Sequence, residues 1–505
     1  MLVLPKFLKV NLLNGDEVPI APPGIATDDA FLQNFVWGPS GTSLAFVYRN
    51  NIYYQASLKD APRQITTTGE LYVLYHGIPD WVYEEEVFGS SNAIWFSNDG
   101  VKMAYVTFDD SDVDVMRVPH YGIPGDVRFQ YTRHHDIRYP KAGTNNPTVR
   151  VTLMDLNTNN VNIYEAPATD MDQPILKTVK FISNTAIALV WTNRVQTALR
   201  VQRCTAGVTA CTTLFNYAET NGWIDNIPFF FNDAGNAFIT ILPHDVNGVL
   251  FKQIVQVTEG AATTRNRVNN PHTVLEILAW GSDDVMYGGP DTALVTRQWS
   301  LDWGSSLVSR WGIAVAHIDG RGSGLRGVAN MFALNRKLGT VEVEDQIAGA
   351  KFIQDNFPWI DANRTCIWGW SYGGYAASKA LAEGGDVFRC AAAVAPVVDW
   401  RFYDTIYTER YMGLPRAEDN AEGYAVSSLL TDQVAESLRD KSYFLIHGTA
   451  DDNVHYQHAM LLSRLLQRRD VYFTQMSYTD EDHGLVGVRP HLYHALEKFL
   501  QEYML

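Results

Sequence analysis

The sequence predicts a chain of two parts, a β-rich N-terminal part and a C-terminal part with the α/β-hydrolase fold. In the N-terminal part, four segments repeat an aromatic-rich strand, a polar turn and a second apolar strand, at 36–46, 94–105, 181–189 and 230–239. Recurrent hairpins are typical of β-propeller blades, although a large β-sandwich would give the same pattern. In the C-terminal part, residues 367–375 carry Gly-x-Ser-x-Gly between an apolar run and a run of small residues. This is the strand–turn–helix context of a nucleophile elbow.

The motif places Gly369, Ser371 and Gly373 at the required spacing. A serine at a nucleophile elbow sits in a strained turn, and we expect glycine two residues before and after it because a Cβ there would clash. The alternative is a glycine-rich strand-to-helix turn in which the serine is incidental. The motif alone does not distinguish the two, but the residues that follow favour the nucleophile.

Two downstream strands end in residues that suit the partners of a nucleophilic serine, which needs a base and a group that orients the base. An apolar strand at 442–448 is followed by Asp451 and Asp452, and a later strand ends in an acidic loop with His483. The order serine, acid, histidine is that of the α/β-hydrolase fold. His447 is the competing base, but it precedes the acids within the strand end, so we interpret it as structural. The choice between Asp451 and Asp452 stays open on these grounds.

Six motifs give the chain a specific resemblance to a known family. They are Gly-Trp-Ser-Tyr-Gly-Gly-Tyr at 369–375, His-Gly-Thr-Ala-Asp-Asp-Asn-Val-His at 447–455, Tyr-Thr-Asp-Glu-Asp-His-Gly at 478–484, and the segments 319–324, 338–346 and 407–413. With them the chain resembles the dipeptidyl peptidase IV group of the prolyl oligopeptidase family of serine peptidases, over most of its length. The resemblance implies that Ser371 is the nucleophile, Asp451 the orienting acid and His483 the base. It also favours the propeller over the sandwich.

The acidic run at 84–86 is unusual for a β-rich region, because it holds three consecutive glutamates between aromatic and β-branched residues. One interpretation is a solvated acidic turn; the other is a pair of carboxylates that binds a cation, such as the ammonium of a peptide N-terminus. The run matches the Asp-Trp-x-Tyr-Glu-Glu-Glu motif of the family, which implies that Glu85 and Glu86 bind the substrate N-terminus. Such a clamp, at a fixed distance from Ser371, would make the enzyme an exopeptidase that releases dipeptides.

The resemblance also implies the remaining substrate contacts. Tyr287 and the backbone N–H of Tyr372 would hold the oxyanion. Asn453 is similar to the residue that binds the substrate backbone carbonyl, its neighbour Val454 belongs to the same predicted set, and Arg410 is expected to assist. Four residues resemble the box that receives proline, although by themselves they would suit a core equally well: Val397, Trp400, Tyr403 and Tyr407.

Composition restricts the partners. The 505 residues carry a formal net charge of −16, which argues against nucleic acid or anionic membranes as partners and favours cationic ligands such as peptide N-termini. No cofactor or metal is expected. There is no run of 18 apolar residues, and the first residues are too short and broken for a signal peptide, so we expect neither an anchor nor a signal in this chain. An extracellular or plasma-membrane location and a homodimer are expected from the resemblance only.

The four cysteines suggest one disulfide. Cys204 and Cys211 have a spacing that a hairpin disulfide can bridge, and similar enzymes carry a bridge there; two free thiols are the alternative. Cys390 matches a family cysteine whose partner lies near the C-terminus, where this chain has none, so that bridge is predicted to be absent. Cys366 is predicted to be a small buried hydrophobic residue.

We predict a partial propeller of the dipeptidyl peptidase IV type over 1–285 and an α/β-hydrolase domain over 286–505. Between Asp283 and Tyr287 the sequence passes abruptly from one to the other, where similar enzymes have a long further segment. The hydrolase domain is therefore predicted to lack its first strands, which would leave a sheet edge unpaired. The expected function is a serine exopeptidase that releases X-Pro or X-Ala dipeptides through an acyl-enzyme. The alternative is a catalytically impaired relative that acts as a binding or regulatory protein.

Overall fold

The N-terminal part of the chain consists of antiparallel sheets. The computed structural model describes residues 8–10, 17–57, 59–167, 171–232, 235–260, 265–266, 271–274 and 292–505. The predicted oxyanion residue Tyr287 and the predicted domain junction lie outside these residues. Within the described residues no helix has the length and apolar character that crossing a bilayer requires.

Four sheets of four or five strands follow one another along the N-terminal part. The first holds β3 (Asn34–Trp37), β4 (Leu44–Tyr48), β5 (Asn51–Gln55) and β6 (Arg63–Gln64), after a small pair of β1 (Leu8–Val10) and β2 (Glu17–Pro19). The second holds β7 (Leu74–His76), β8 (Ile94–Phe96), β9 (Lys102–Asp109), β12 (Thr148–Asp155) and β13 (Val161–Glu165), and β10 (Val115–His120) with β11 (Arg133–Arg138) forms a separate hairpin. The third holds β14 (Ile175–Ser183), β15 (Ala186–Thr192), β16 (Ala198–Thr205) and β17 (Thr212–Ala218). The fourth holds β18 (Phe230–Phe231), β19 (Ala237–Val246), β20 (Val249–Thr258) and β21 (Arg265–Asn266).

The four hairpins predicted from the sequence are all present as antiparallel pairs. They are β3 with β4, β8 with β9, β14 with β15, and β18 with β19. Neighbouring sheets share apolar cores: Val151 of the second sheet and Leu189 of the third lie in one cluster, and Val201 and Val257 join the third sheet to the fourth. The N-terminal part is therefore a series of small twisted sheets packed face to face.

The C-terminal part has a parallel sheet with helices on both faces. Its strands, in spatial order, are β22 (Cys366–Trp370), β23 (Cys390–Val394), β24 (Ser442–Gly448) and β25 (Thr474–Tyr478). The helices of the chain are α1 (Trp81–Tyr83), α2 (Trp303–Trp311), α3 (Val328–Met331), α4 (Val341–Asn356), α5 (Tyr372–Glu383), α6 (Thr405–Met412), α7 (Ala421–Ser427), α8 (Asp432–Ser437), α9 (Gln457–Arg468) and α10 (Arg489–Met504). Short 3-10 turns lie at Thr27–Asp29, Val127–Phe129, Phe332–Leu334, Ala362–Arg364, Trp400–Phe402 and Val486–Val488.

The two central strands of this sheet, β23 and β24, are almost entirely buried, as parallel strands between two helical layers are, whereas the outer strands β22 and β25 are only partly buried. One face packs against α5 and α9, through residues such as Leu381 and Leu462. The other packs against α10, whose Leu492, Leu496 and Phe499 are buried. Within the described part of the chain, β22 is paired on one side only, with β23.

Both pairs of cysteines form disulfides. The predicted Cys204–Cys211 bridge is present. The prediction that Cys366 is a small buried hydrophobic residue was wrong, because Cys366 is bonded to Cys390. The register of the parallel pair sets these residues directly opposite each other, with Cα atoms 4.7 Å apart. This distance lies within the range that a disulfide spans, but the strand register that creates it is a tertiary feature.

The two parts of the chain meet at a buried ion pair. Arg194, just after β15, donates from Nε and Nη2 to the Glu409 carboxylate of α6 at 2.5 and 2.7 Å. Both side chains are buried, and the N–H of Gly143 donates to the same carboxylate at 2.7 Å. Helix α6 is thus fixed to the N-terminal sheets, which brings residues from both parts to one site.

Candidate active site

Ser371 occupies a sharp turn between β22 and α5. Its backbone is in the left-handed region, with φ 59° and ψ −118°, and its N–H donates to the Val394 carbonyl at 2.8 Å. A Cβ on Gly369 would collide with the backbone of Gly373, as the motif predicts. The prediction for Gly373 was wrong, because a Cβ there would have nothing within 4 Å; the tight position is Gly374, where it would lie 2.9 Å from the Val394 carbonyl oxygen. The turn therefore has little room for a side chain at Gly369, in β22, or at Gly374, which lies against β23.

Asp451 and His483 are hydrogen-bonded to each other. The Asp451 Oδ2 and His483 Nδ1 atoms are 2.8 Å apart, and Asp451 is fully buried. The other carboxylate oxygen accepts the N–H groups of Asn453 and Val454 at 3.0 and 2.9 Å. These bonds fix the carboxylate, which in turn fixes the imidazole. Asp452, the alternative acid, does not take this place.

His447, the competing histidine, also faces Asp451. Its Nε2 is 2.6 Å from the Val454 carbonyl oxygen and 3.3 Å from Asp451 Oδ2. The side chain is buried within the sheet. His447 therefore supports the carboxylate from inside the fold, while His483 approaches it from the side of the loop.

Opposite charges shift the pKa values of the acid and the histidine apart. Burial lowers the pKa of His483, but the Asp451 charge and hydrogen bond outweigh it, so the net shift is upward. Burial alone would raise the pKa of Asp451, but His483 and His447 lower it well below its ordinary range. The aspartate is thus ionised at neutral pH and stabilises a protonated His483.

Ser371 follows β22, Asp451 follows β24 and His483 follows β25. All three residues therefore lie at the carboxyl end of one parallel sheet. The indole N–H of Trp370 donates to the His483 carbonyl at 3.1 Å, which joins the histidine loop to the residue before the serine. The carboxyl edge of an open α/β sheet is where ligands of such folds bind. The structure thus brings the three predicted residues to one edge.

The acidic run forms a helical turn that reaches this edge from the N-terminal part. Helix α1, capped by Asp80, continues as a wide turn over Glu84–Phe88. Glu85 accepts a hydrogen bond from Asn453 Nδ2 at 2.7 Å, two residues beyond Asp451. The backbone carbonyl of Glu86 accepts from Asn226 Nδ2 at 2.8 Å. The Glu85 carboxylate therefore lies close to the acid–histidine pair, and the backbone at Glu86 is held by Asn226.

The surroundings of the two glutamates favour protonation in the absence of a cation. Burial raises the pKa of Glu85, and the charge of Asp452 adds to the shift. Burial also raises the pKa of Glu86, against the charge of Arg410, and Glu85 raises it further. A cation bound between the two carboxylates would reverse these shifts, because it would stabilise both charges.

The four residues of the predicted proline box lie together. Trp400 and Tyr407 are stacked with ring centroids 6.0 Å apart, and Tyr403 meets Tyr407 edge to face at 5.4 Å. Val397 and Trp400 are buried. The Tyr403 hydroxyl donates to Asn453 Oδ1 at 2.7 Å, so Asn453 links the box to Glu85. The ring of Tyr372 packs beside that of Trp400 with centroids 5.4 Å apart, and its hydroxyl donates to the buried Glu342 at 2.7 Å. Tyr372 is the first residue of α5.

Both parts of the chain are similar to known protein families. Residues 6–287 match the model of the dipeptidyl peptidase IV N-terminal region, and residues 299–505 match the model of the prolyl oligopeptidase family. The chain is 31% identical to venom dipeptidyl peptidase 4 of Apis mellifera, over 97% of this chain and 79% of that protein. The chain belongs to the dipeptidyl peptidase IV group of the prolyl oligopeptidase family. It is accordingly a serine-type dipeptidyl peptidase that acts on peptides.

Other relatives agree. Dipeptidyl peptidase 4 of Sus scrofa is 30% identical, with 93% of this chain and 80% of that protein covered. Among solved structures, dipeptidyl peptidase 4 of Porphyromonas gingivalis superposes with a TM-score of 0.77 at 26% identity, over 94% of this chain and 83% of that one. The similarity to these relatives therefore extends over both parts of the chain.

Several residues at the site of this family member were missed by sequence reasoning. Tyr139 donates its hydroxyl to the Asn453 carbonyl at 2.9 Å and packs on Trp81 with centroids 4.4 Å apart. Lys177 donates to Gln196 and Asn226, and Asn226 in turn donates to the backbone carbonyl of Glu86. No local pattern marks these residues, because their neighbours in sequence are ordinary strand and loop residues. Among the described residues, no group of three or more histidine, cysteine, aspartate or glutamate side chains could hold a metal ion.

Proposed function

We propose that the enzyme releases X-Pro or X-Ala dipeptides from the free N-termini of peptides through an acyl-enzyme intermediate. One observation carries the proposal: Glu85 is held by Asn453, two residues from the buried Asp451 that binds His483. A clamp for the peptide N-terminus thus stands at a fixed place relative to the acid–histidine pair. An endopeptidase has no use for such a clamp, because it must accept chain on both sides of the cut.

In the proposed reaction, Ser371 Oγ attacks the carbonyl carbon of the second residue while His483 takes its proton. The tetrahedral intermediate collapses when His483 returns that proton to the leaving amine, which leaves the dipeptide as an ester on Ser371. Water, deprotonated by His483, then hydrolyses the ester. Asp451 orients the imidazole and stabilises its charged form. The backbone N–H of Tyr372 and the hydroxyl of Tyr287 are the proposed donors to the oxyanion.

The substrate contacts are assigned by chemistry. The ammonium of the first residue would bind Glu85 and Glu86. Their pKa values are raised, and a bound cation would stabilise their charged forms. The second residue would enter the box formed by Trp400, Tyr403 and Tyr407, with Val397 and Val454 as buried neighbours. Flat aromatic walls suit the rigid ring of proline and also admit alanine. Asn453 would meet the backbone carbonyl between the two subsites.

The direct test is hydrolysis of Gly-Pro p-nitroanilide and of its N-acetylated analogue. The parent should cleave only the free amine, and Ser371→Ala should abolish turnover. Glu85→Gln and Glu86→Gln should raise KM by at least about tenfold, since each removes a charged hydrogen-bond acceptor. Glu84→Gln, an exposed neighbour in the same run, is the matched control. Equal cleavage of the acetylated substrate, or unchanged KM in both variants, would contradict the proposal.

We also propose that residues 1–285 form a propeller and residues 286–505 the hydrolase domain, in line with the two family models. The four packed N-terminal sheets support the propeller, and the alternation of parallel strands and helices supports the hydrolase domain. The single-sided pairing of β22 among the described residues supports a domain without its first strands. The non-catalytic alternative has no support from the comparisons, whose named relatives are peptidases.

We propose an extracellular or membrane-associated location, and a homodimer, for this chain. Two disulfides suit an oxidising compartment, and several relatives are named venom proteins. Light scattering on the purified protein tests the dimer, and detection of the protein in the medium of expressing cells tests the location. A monomer at micromolar concentration, or an exclusively intracellular protein, would contradict the respective statement.

A further inference from the structure

Lys177 is a buried lysine behind the two glutamates that has no part in the proposed reaction. It lies in β14 and is only 9% exposed. Its Nζ donates to Gln196 Oε1 at 2.6 Å and to Asn226 Oδ1 at 2.8 Å. Burying a lysine is costly. Here both hydrogen-bond partners are neutral amides, while the charges of Glu86 and Asp225 favour the charged form of the lysine.

The lysine determines which way the two amides point. A lysine Nζ only donates in its charged form, so each amide must turn its oxygen toward it and its NH2 group away. Burial, and next the charge of Arg410, lowers the pKa of Lys177, but the neutral amine still has two N–H groups for the two oxygens. The orientation of both amides is therefore the same in either protonation state.

Each NH2 group then donates to a backbone carbonyl of a different subsite. Asn226 Nδ2 donates to the carbonyl of Glu86 at 2.8 Å, in the turn that carries the clamp. Gln196 Nε2 donates to the carbonyl of Ile406 at 2.6 Å, in α6 next to Tyr407 of the aromatic box. Two parts of the proposed substrate site are thus joined to one amino group.

The amide of Gln196 has a second charged donor. Arg410, also in α6, donates from Nε to Gln196 Oε1 at 2.9 Å, and its Nη2 lies 3.5 Å from the Glu86 carbonyl oxygen. Gln196 is fully buried, so solvent cannot replace any of its three side-chain hydrogen bonds. The chain of bonds therefore runs from Glu86 through the exposed Asn226 and then through the buried Lys177 and Gln196 to α6.

We propose that Lys177 is a positioning residue for substrate binding: through Asn226 and Gln196 it fixes the glutamate clamp relative to the aromatic box. The inference rests on the proposed function and deepens it, because the spacing between clamp and box decides whether a dipeptide fits. It acts on binding of the first two residues and leaves the acid–histidine pair untouched.

The variant Lys177→Met keeps an unbranched side chain, one atom shorter, and removes the amino group that makes both hydrogen bonds. We expect KM for Gly-Pro p-nitroanilide to rise about tenfold, because the two amides can then rotate, while kcat stays within about twofold. Labelling of Ser371 by the uncharged reagent diisopropyl fluorophosphate should proceed at the parental rate. Lys180→Met is the matched control, since Lys180 lies on the same strand, half-buried, and donates to the Phe229 carbonyl at 3.1 Å instead.

A double-mutant cycle separates positioning from general destabilisation. If Lys177 acts through Asn226, then Lys177→Met and Asn226→Leu together should raise KM no more than the larger single change, because both break the same chain. Multiplicative effects, an unchanged KM in Lys177→Met, or an equal loss of kcat, labelling and thermal stability would each overturn the inference.

Protection of Ser371 from the same reagent by the dipeptide Gly-Pro measures binding without turnover. The expected result is that Lys177→Met needs about tenfold more dipeptide than the parent for half protection. A parent that is protected but does not cleave the anilide would contradict the proposed function and leave the positioning result intact. A variant protected as well as the parent would overturn the positioning role by itself.

Discussion

At the scale of single residues, the proposed catalytic pair Asp451–His483 should set the pH range of the enzyme. The base must be neutral to accept the Ser371 proton, so kcat/KM falls on the acid side as His483 is protonated. The pKa of His483 is raised from its ordinary 6.5, against burial, by the charge and hydrogen bond of Asp451. The acid limb of the kcat/KM profile should therefore lie above pH 6.5 in the parent.

The variant Asp451→Asn tests this. It should lower kcat by about 10³- to 10⁴-fold, because the amide favours the wrong imidazole tautomer. The acid limb should also move to lower pH, since burial, which lowers the pKa of His483, is then less opposed. Steady-state kinetics from pH 5 to 9 measures both. Asp452→Asn is the control, with a smaller shift of the limb and near-parental kcat; a limb that stays in place in Asp451→Asn would contradict the assignment.

At the scale of elements, β22 depends on a covalent link to its neighbour. The Cys366–Cys390 bond closes a sequence separation of 24 residues, against 7 for Cys204–Cys211. The chain-entropy model assigns about 3 kcal/mol to the longer loop and about 2 kcal/mol to the shorter. Replacement of Cys366 and Cys390 by alanine should thus lower the free energy of unfolding by about 1 kcal/mol more than replacement of the other pair.

Chemical denaturation of the two double variants measures the difference. The Cys366/Cys390 variant should also lose its activity at a lower denaturant concentration than the one at which it unfolds globally. The reason is that β22 leads directly into Ser371 and, among the described residues, is paired on one side only. The Cys204/Cys211 variant should lose activity and structure together. The reverse order of stability between the two variants would show that the bond at β22 is not a support of the nucleophile strand.

These elements also show how far the sequence could be read. The four hairpins were predictable because each combines a turn signal with flanking apolar strands, and the elbow because Gly369 must approach the following helix. The Cys366–Cys390 bond was not, since it depends on strand register, and Gly373 was assigned a steric role that Gly374 has. Lys177 lies in an ordinary strand pattern, and only the tertiary fold sets it behind Glu86. The catalytic and binding roles themselves stay predictions until they are measured.

At the scale of the whole molecule, the site draws on both parts of the chain. Asn453 of the C-terminal part donates to Glu85 of the N-terminal part, and Tyr139 donates back to the Asn453 carbonyl. The buried pair of Arg194 and Glu409 holds the same boundary a short distance away. Removing one partner of such a pair would leave the other charge buried and unpaired, which is strongly destabilising. The site thus depends on contacts between the two parts of the chain.

The net charge of the molecule adds a long-range term to substrate capture. The chain carries a formal net charge of −16, and four carboxyl groups whose pKa values are raised by burial and by neighbouring carboxylates lie near the site: Glu84, Glu85, Glu86 and Asp452. A field of this sign attracts cationic peptides and is screened by salt, with a Debye length of about 10 Å at 0.1 M. For the dication Lys-Pro p-nitroanilide, kcat/KM should fall roughly threefold between 20 and 200 mM NaCl. The zwitterion Glu-Pro p-nitroanilide, which has no net charge, should change by less than about 1.5-fold over the same range. Equal salt dependence for the two substrates would show that capture depends on contacts within the clamp alone.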